Sequence, residues 1–381
     1  MTVELSPRRR AKLLAYLDSE KWLSRSSCTI RCLAQLHGLL VNAAEFCPWA
    51  KCQFFLIQRM LRTAISAQYH KYHNYRKRRN IPDRIRASLP RELERRVASL
   101  IARDVAEFIW RNHLQIPVSP ETRATLRIIY DYLQAGKPWC MLIGHIVPRD
   151  PAIYAATDAS QQGIGVVIPA LRVFCCLPFT DSLVALLHVR CGTTRQLNIN
   201  ITEFIGGLLA YIIATILVNT APSEFPPAPI LHLDMDNTSA VAWCQTMSSS
   251  SLWGQTLLRL LAEFRLVSPV GLAPQHLKGT LNCLPDTISR PCELYQPRLK
   301  RPSDKPYHSH ISQICRKLPE LASWRVFQPT PALLSALRCA LSSSAKWERP
   351  SLPKTWGQFV TAESILCGSS SSSSSSTTFS L

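Results

Sequence analysis

The stretch Leu231-His232-Leu233-Asp234-Met235-Asp236-Asn237 decides the fold. Apolar and polar residues alternate along it, and this period of two predicts a β-strand with one buried face. Its polar face carries two carboxylates, Asp234 and Asp236, where the strand ends. Neighbouring carboxylates raise each other's pKa unless a cation lies between them, and a divalent cation suits such a pair. The residues leave a second interpretation open, a solvated strand edge with two ordinary aspartates.

The overall composition indicates a basic, multidomain globular protein. The chain has 381 residues, of which 46% are hydrophobic, so it can form two or three domains. Lys and Arg number 44 and Asp and Glu number 25, which gives a net charge of +19. An excess this large predicts a polyanionic partner, and nucleic acid is favoured over an anionic membrane.

The cysteines and the longest apolar segment indicate an intracellular protein without a membrane partner. The 14 cysteines lack the spacing of zinc ligands, and the N-terminus has no hydrophobic signal core. We therefore expect reduced, mostly buried thiols. The apolar run Phe204–Val218 has 15 residues, fewer than the roughly 20 that a membrane span needs. It is predicted to be a buried helix.

Two regions precede the central domain. Residues 1–66 have apolar residues at helical spacing and are predicted to form a small helical region. Residues 67–150 are predicted to be a basic helical linker in which Tyr and His alternate with cations, an arrangement that can stack on bases and hold phosphates. The candidate nucleic-acid-binding cations are Lys71, Arg76, Lys77, Arg78 and Arg79. A solvated linker whose charge only provides solubility is the other interpretation.

Residues 151–291 are predicted to form one α/β domain with a mixed five-stranded sheet flanked by helices. The predicted strands are 154–158, 163–168, 173–177, 231–236 and 269–276. Residues 292–367 are predicted to be a Pro- and Ser-rich tail with one short helix, Ala332–Leu341. Residues 368–381 form a serine-rich tract that cannot bury a core and is predicted to be disordered.

Four carboxylates in this domain lie at predicted strand ends or in predicted helices. Asp158 and Asp236 end strands, Glu203 is the one acid of an apolar helical segment, and Asp286 begins the last helix. In this order they resemble the Asp-Glu-Asp-Asp site of ribonuclease H. The loop His-x-x-Gly-x-x-Asn that begins at His276, followed by Asp-x-x-Ser-Arg, is the most specific part. It resembles most closely the ribonuclease H region of reverse transcriptases from tyrosine-recombinase (DIRS-type) retrotransposons.

The resemblance implies a ribonuclease H-like fold and hydrolysis of the RNA strand of an RNA–DNA hybrid. The four acids would hold two Mg²⁺ ions, and His276 would move a proton or help product release. Asn237 and Asn282 would contact nucleic acid. Residues 3–62 resemble the helical thumb and connection of these elements, but no Tyr/Phe-x-Asp-Asp polymerase motif occurs. We therefore expect a C-terminal portion of such a polyprotein without its polymerase palm, with other retroelement proteins as further partners.

Two departures from the family pattern leave alternatives open. Pro285 replaces the small residue usual before the last Asp, and Asp234 lies next to the position expected for the ligand Asp236. The family's Asp-Asn-Thr/Ser-Ala pattern favours Asp236. One alternative is a catalytically inactive retroelement remnant that only binds nucleic acid. Another is a transposase- or integrase-type nuclease of the same fold.

Overall fold

The computed structural model describes residues 2–44, 48–78, 115–135, 140–142, 149–179, 181–191, 194–249, 251–290, 307–342 and 360–364. They divide into two compact units. The helical unit comprises 1–146, 247–266 and 344–348, and the sheet unit comprises 147–246, 267–343 and 349–381.

The described helices are numbered in chain order. They are α1 (Pro7–Ser19), α2 (Ile30–Ala44), α3 (Pro48–Gln53), α4 (Phe55–Arg78), α5 (Pro120–Gln134), α6 (Asp181–Leu187), α7 (Ile199–Thr220), α8 (Thr238–Thr246), α9 (Leu252–Val267), α10 (Cys283–Ser289), α11 (Tyr307–Lys317) and α12 (Pro331–Ser342).

The described strands follow the same order. They are β1 (Thr2–Glu4), β2 (Ser27–Cys28), β3 (Ile116–Pro117), β4 (Cys140–Leu142), β5 (Ile153–Ala159), β6 (Gly163–Ile168), β7 (Val173–Pro178), β8 (His188–Cys191), β9 (Thr194–Leu197), β10 (Ile230–Met235), β11 (Gly271–His276), β12 (Arg325–Pro329) and β13 (Val360–Ser364).

The helical unit is built from amphipathic helices. Helix α1 packs against α2 and α5, and α4 packs against α2, α3 and α5. Helix α1 begins as predicted at Ser6-Pro7, where the Ser6 hydroxyl accepts a hydrogen bond from the backbone nitrogen of Arg9. Helix α9 joins this unit through Gln255, which donates to the carbonyl of Cys52, and through Arg259, which donates to Thr125. The first part of the chain therefore forms two main helices, Pro7–Ser19 and Ile30–Ala44, as their periodicity indicates.

The predicted boundary between residues 66 and 67 lies inside a helix. Helix α4 runs without interruption from Phe55 to Arg78. No Pro or Gly occurs in this range, so the backbone has no residue that would end a helix there. The change to basic, aromatic composition, which suggested a linker, begins within this helix, and the stretch after Arg78 lies outside the described residues. Helix α5 forms part of the helical unit.

The centre of the second unit is a mixed sheet with the strand order β11-β10-β5-β6-β7-β12-β13 among the described residues. Strand β10 runs parallel to both β5 and β11, whereas β6 runs antiparallel to β5 and β7. The burial of β10 alternates with a period of two, as its sequence indicates. The carboxyl ends of β5, β10 and β11 therefore meet at one edge of the sheet.

Two glycines let helix α7 lie close to this sheet. A Cβ at Gly206 would lie 3.1 Å from Ile164 Cγ2, and one at Gly207 would lie 3.1 Å from Met235 Sδ. Both distances are shorter than an ordinary carbon contact, so the close approach depends on glycine. Glu203 precedes these glycines by one helical turn and therefore lies on the same, sheet-facing side of α7.

Helix α7 is also the one described helix that is long and apolar enough to cross a membrane. It has 22 residues and a hydropathy of 2.1, but 94% of its most apolar window is buried inside the protein. This burial is what the core helix of a globular unit shows. It agrees with the prediction of a buried helix over Phe204–Val218.

The sheet is larger than the five strands predicted, and the segment after residue 292 is more than a tail with one helix. Strand β12 pairs in parallel with β7, and β13 pairs with β12. Helix α11 packs its buried Ile311 and Ile314 with Val167 and Phe174 of the sheet. A five-residue strand between Pro- and Ser-rich stretches carries too little alternation to be recognised. Residues 365–381, predicted to be disordered at their end, lie outside the described residues.

Candidate metal centre

Three of the four predicted acids converge at the edge where β5 and β10 end. Oxygen atoms from Asp158, Glu203 and Asp236 all lie within 4.8 Å of one another. Asp158 comes from β5, Asp236 directly follows β10, and Glu203 comes from α7. The two strands are parallel neighbours, so their carboxyl ends lie side by side, and α7 brings the glutamate over them. This acidic triad can hold a metal ion.

The carboxylates of Asp158 and Glu203 are almost completely removed from solvent. Asp158 is 5% exposed and Glu203 is 2% exposed. Each is held by a donor: the Ser289 hydroxyl donates to Asp158 Oδ2 over 2.7 Å, and the Ala159 backbone nitrogen donates to Glu203 Oε1 over 2.9 Å. Their orientations are therefore fixed by the surrounding protein.

Burial makes both carboxyl groups hold their protons more tightly. The pKa of Glu203 is raised to about 9, mainly by burial and also by the charges of Asp236 and Asp158, while the hydrogen bond from Ala159 acts against this shift. Burial likewise raises the pKa of Asp158 to about 6, although the Ser289 hydrogen bond opposes this shift. A site that leaves two acids so reluctant to ionise is one that favours a cation between them.

The donor set fits a hard divalent cation. The buried Glu203 Oε2 has no hydrogen-bond partner, so one lone-pair-bearing oxygen remains for a ligand. All three donors are carboxylate oxygens, which magnesium and other hard cations prefer over nitrogen and sulfur ligands. The acidic triad can therefore hold a hard divalent metal ion.

Asp286 lies outside the triad, unlike in the prediction. It begins α10 as expected, but its Oδ2 forms an ion pair with Arg290 four residues later. It is still close enough for its charge to raise the pKa of Asp158. Pro285 is accommodated in the first turn of α10. The fourth acid therefore lies at the periphery of the triad, with its charge balanced by a guanidinium group.

His276 lies at the exposed rim of the centre. Its Nε2 donates to the backbone carbonyl of Asp236 over 3.1 Å. A carbonyl can only accept, so in a neutral ring Nδ1 is the basic nitrogen. The ring is tied to the backbone of a triad residue and remains accessible to solvent.

The two predicted asparagines have structural partners. Asn237 donates to Asn200 Oδ1 over 2.8 Å and accepts from the Ala240 backbone nitrogen, which caps α8. Asn282 is 1% exposed and donates to the carbonyl of Thr157 over 2.8 Å. This side chain is taken up by a contact within the protein, and a nucleic-acid contact of Asn282 stays a prediction. Asn282 joins the loop before α10 to β5.

Asp234 is separate from the triad although it lies two residues from Asp236. Its Oδ1 lies 3.2 Å from His232 Nε2 on the same strand face. The His232 ring in turn lies 5.3 Å from the half-exposed ring of Tyr154. The structure therefore places Asp236, and not Asp234, with the other acids.

The predicted phosphate-binding cations are described only in part. Lys71, Arg76, Lys77 and Arg78 lie in the last turns of α4, whose backbone alone is described there. Arg79 and the rest of the basic stretch to residue 96 lie outside the described residues.

Sequence reasoning missed two residues that act on the acids. Ser289 and Arg290 belong to the Asp-x-x-Ser-Arg sequence, but only Asp286 of that sequence was assigned a role. Their positions three and four residues after Asp286 put them on the same side of one helical turn. This spacing is the signal that would have identified them.

The acidic triad is recognised from geometry alone. Comparisons with known protein families, with curated proteins and with solved structures give no match to this chain.

Proposed function

We propose that this protein is a Mg²⁺-dependent ribonuclease H that hydrolyses the RNA strand of RNA–DNA hybrids. The observation that carries the proposal is the convergence of Asp158, Glu203 and Asp236 within 4.8 Å at the carboxyl ends of two parallel strands. The proposal extends to an origin in a DIRS-type retrotransposon reverse transcriptase.

The sheet topology supports the proposal. Counted from β5, the five strands β5, β6, β7, β10 and β11 are arranged in the order 3-2-1-4-5. The second strand is antiparallel to the first and the third, whereas the fourth is parallel to the first and the fifth. Helix α7, with its glutamate, lies between the third and fourth strands in the chain, and α10 follows the fifth. A mixed sheet flanked by helices is what the sequence predicts for this domain.

The residues of the centre have distinct tasks in this proposal. Asp158, Glu203 and Asp236 would hold the metal, with Asp286 as the fourth ligand of a two-ion site. Bound Mg²⁺ would supply Lewis-acid stabilisation of charge and a nucleophilic water at neutral pH. The exposed His276 ring offers Nδ1 to move a proton at the rim of the site. The basic surface would hold the hybrid by its phosphates.

A second candidate, a transposase- or integrase-type nuclease, is favoured by one observation. Within the described part of the chain only three acids converge, and Asp286 is paired with Arg290. A three-carboxylate nuclease would not need Asp286. The variant Asp286→Asn therefore distinguishes the candidates: a ribonuclease H loses hybrid cleavage, whereas a three-acid nuclease keeps its activity on DNA.

The test of the proposal is cleavage of a hybrid with a labelled RNA strand by the full-length protein. A fragment ending at residue 291 would lack β12 and α11, which pack on the sheet, so its sheet would expose apolar residues that the full-length protein buries. We expect cleavage with Mg²⁺ and none with EDTA. Absence of cleavage with Mg²⁺ and with Mn²⁺ would contradict the proposal and favour the inactive remnant.

A matched pair of variants on one strand controls for contaminating nucleases. Asp236→Asn removes a charge from the triad and should lower the rate by at least about 100-fold, the scale on which removal of one charge-stabilising group acts. Asp234→Asn makes the same chemical change two residues away, outside the triad, and should lower it by less than about fivefold. Equal loss in both variants would show that the assigned ligand is wrong.

A further inference from the structure

The carboxylate of Asp158 accepts a hydrogen bond from the last residue of helix α10. Ser289 at the end of α10 is fully buried, with 0% exposure, and its hydroxyl lies 2.7 Å from Asp158 Oδ2. The same hydroxyl lies 2.9 Å from the carbonyl oxygen of Asp286. A serine has one proton to donate, so these two acceptors compete for it.

When a metal is bound, the Ser289 hydroxyl donates to the ionised Asp158 carboxylate rather than to the Asp286 carbonyl. A hydrogen bond to a charged acceptor is shorter and roughly twice as strong as one between neutral groups. A metal ligand must be deprotonated, and an ionised Asp158 can only accept. The Ser289 proton then belongs to Asp158 Oδ2, and rotation of the carboxylate about its χ2 bond is restricted.

The position of Ser289 is itself fixed by the sheet. The Ser160 hydroxyl donates to the Ser289 carbonyl over 2.7 Å, and Asn282 ties the start of α10 to Thr157 over 2.8 Å. A Cβ at Gly165 would lie 2.8 Å from the Ser289 backbone nitrogen, so α10 lies directly on β6. The hydroxyl is thus held by groups on β5 and β6, the strands that also carry and flank Asp158.

We infer that Ser289 is a positioning residue for metal binding, whose hydroxyl holds the Asp158 carboxylate in the orientation that joins Glu203 and Asp236. The inference rests on the proposed metal centre and assigns a task to a residue that touches neither metal nor substrate. Groups that orient a ligand in this way typically change metal affinity by 10- to 100-fold when they are removed.

The test measures binding of Mn²⁺ alone to the full-length protein, by electron paramagnetic resonance of the free ion, together with the melting temperature. Ser289→Ala should weaken Mn²⁺ binding by about tenfold or more. The matched control is Ser268→Ala, another buried serine of the sheet unit, whose hydroxyl bonds with the Thr215 hydroxyl and accepts from the Val270 backbone nitrogen rather than contacting the acids. It should lower the melting temperature while changing Mn²⁺ affinity by less than about threefold.

The outcomes separate this inference from the metal centre itself. Mn²⁺ binding that is strong in the wild type and within threefold of it in Ser289→Ala overturns the positioning role alone. Equal weakening by Ser268→Ala and Ser289→Ala also overturns it, because the effect is then only structural. A wild type that binds no Mn²⁺ overturns both the metal centre and the inference. If Ser289→Ala does not fold, Ser289→Cys keeps the volume with a weaker donor, and wild-type affinity in that variant overturns the inference.

Discussion

At the scale of single residues, Glu203 was the most predictable member of the centre and Asp286 the least. Glu203 is the one acid in α7, and a charge inside an apolar helix must be compensated when the helix is buried. That argument needs only the sequence. The Asp286 carboxylate can join the triad or pair with Arg290. The relative free energies of these two arrangements depend on distances that a sequence does not contain.

The raised pKa values of the acids predict how stability depends on pH. The folded pKa of Glu203 is about 9 and that of Asp158 about 6, both above the value of roughly 4 for an unfolded chain. Between these limits the folded state binds more protons, so the free energy of unfolding decreases as pH rises from about 4 to about 9. Without divalent cations, we expect the melting temperature to fall between pH 6 and pH 9.

Glu203→Gln is the variant that checks this prediction. The glutamine is neutral at all these pH values, so the variant should lose most of the decrease in melting temperature above pH 6. Each kcal/mol of unfolding free energy that is retained corresponds to about 2–4 °C in melting temperature. Excess Mg²⁺ should raise the melting temperature of the wild type at pH 8 and leave that of the variant nearly unchanged. Parallel pH curves for the two proteins would show that Glu203 is not the group responsible.

At the scale of elements, strands with one buried face were predictable and short or flanking elements were not. Strand β6 has the bounds predicted, Gly163–Ile168, and β10 differs by one residue at each end. Strand β6 begins at a glycine and is followed by Pro169, and β10 has a clear alternation of polar and apolar residues. Strand β12 and the hairpin of β8 and β9 were missed, because segments of four or five residues without alternation do not differ from loops in sequence.

The contact between α10 and β6 predicts a large effect of one methyl group. In Gly165→Ala the new Cβ would clash with the Pro285 carbonyl and with the Ser289 nitrogen at 2.8 Å, both backbone atoms that cannot rotate away. Helix α10 would have to move, at a cost of about 1–3 kcal/mol for overpacking. We expect lower stability in chemical denaturation and weaker Mn²⁺ binding, because Ser289 moves with the helix.

Gly38→Ala is the matched control for this variant. Gly38 lies inside α2, and a Cβ there would have no heavy atom within 4 Å. Alanine should stabilise the helix by about 0.5–1 kcal/mol, since glycine costs more backbone entropy. The same substitution therefore has opposite signs at the two positions. A neutral or stabilising Gly165→Ala would show that α10 does not lie on β6 as described.

At the scale of the whole molecule, the charge of +19 could be assigned to a class of partner but not to a surface. Charge acts at long range and is counted from composition, whereas a binding surface requires the places of individual side chains. The described side chains place an acidic triad in a basic protein. An acidic centre repels phosphates, so nucleic acid would have to be held by cations elsewhere, and the basic stretch of residues 68–96 is the densest group.

The last prediction tests that stretch through the salt dependence of binding to an RNA–DNA hybrid. Each phosphate neutralised contributes about −0.9 to the slope of log affinity against log salt, so five contacts would weaken binding by roughly two to three decades over a fourfold rise in salt. One variant changes five cations of the stretch to Gln: Lys71, Arg76, Lys77, Arg78 and Arg79. A second variant removes the same charge elsewhere: Arg298, Lys300, Arg301, Lys305 and Lys354. We expect the first to reduce the slope by several units and the second to leave it nearly unchanged, since counterions are released only where phosphates are contacted. Equal slopes in the two variants would show that the stretch does not contact phosphates and that the net charge alone attracts nucleic acid.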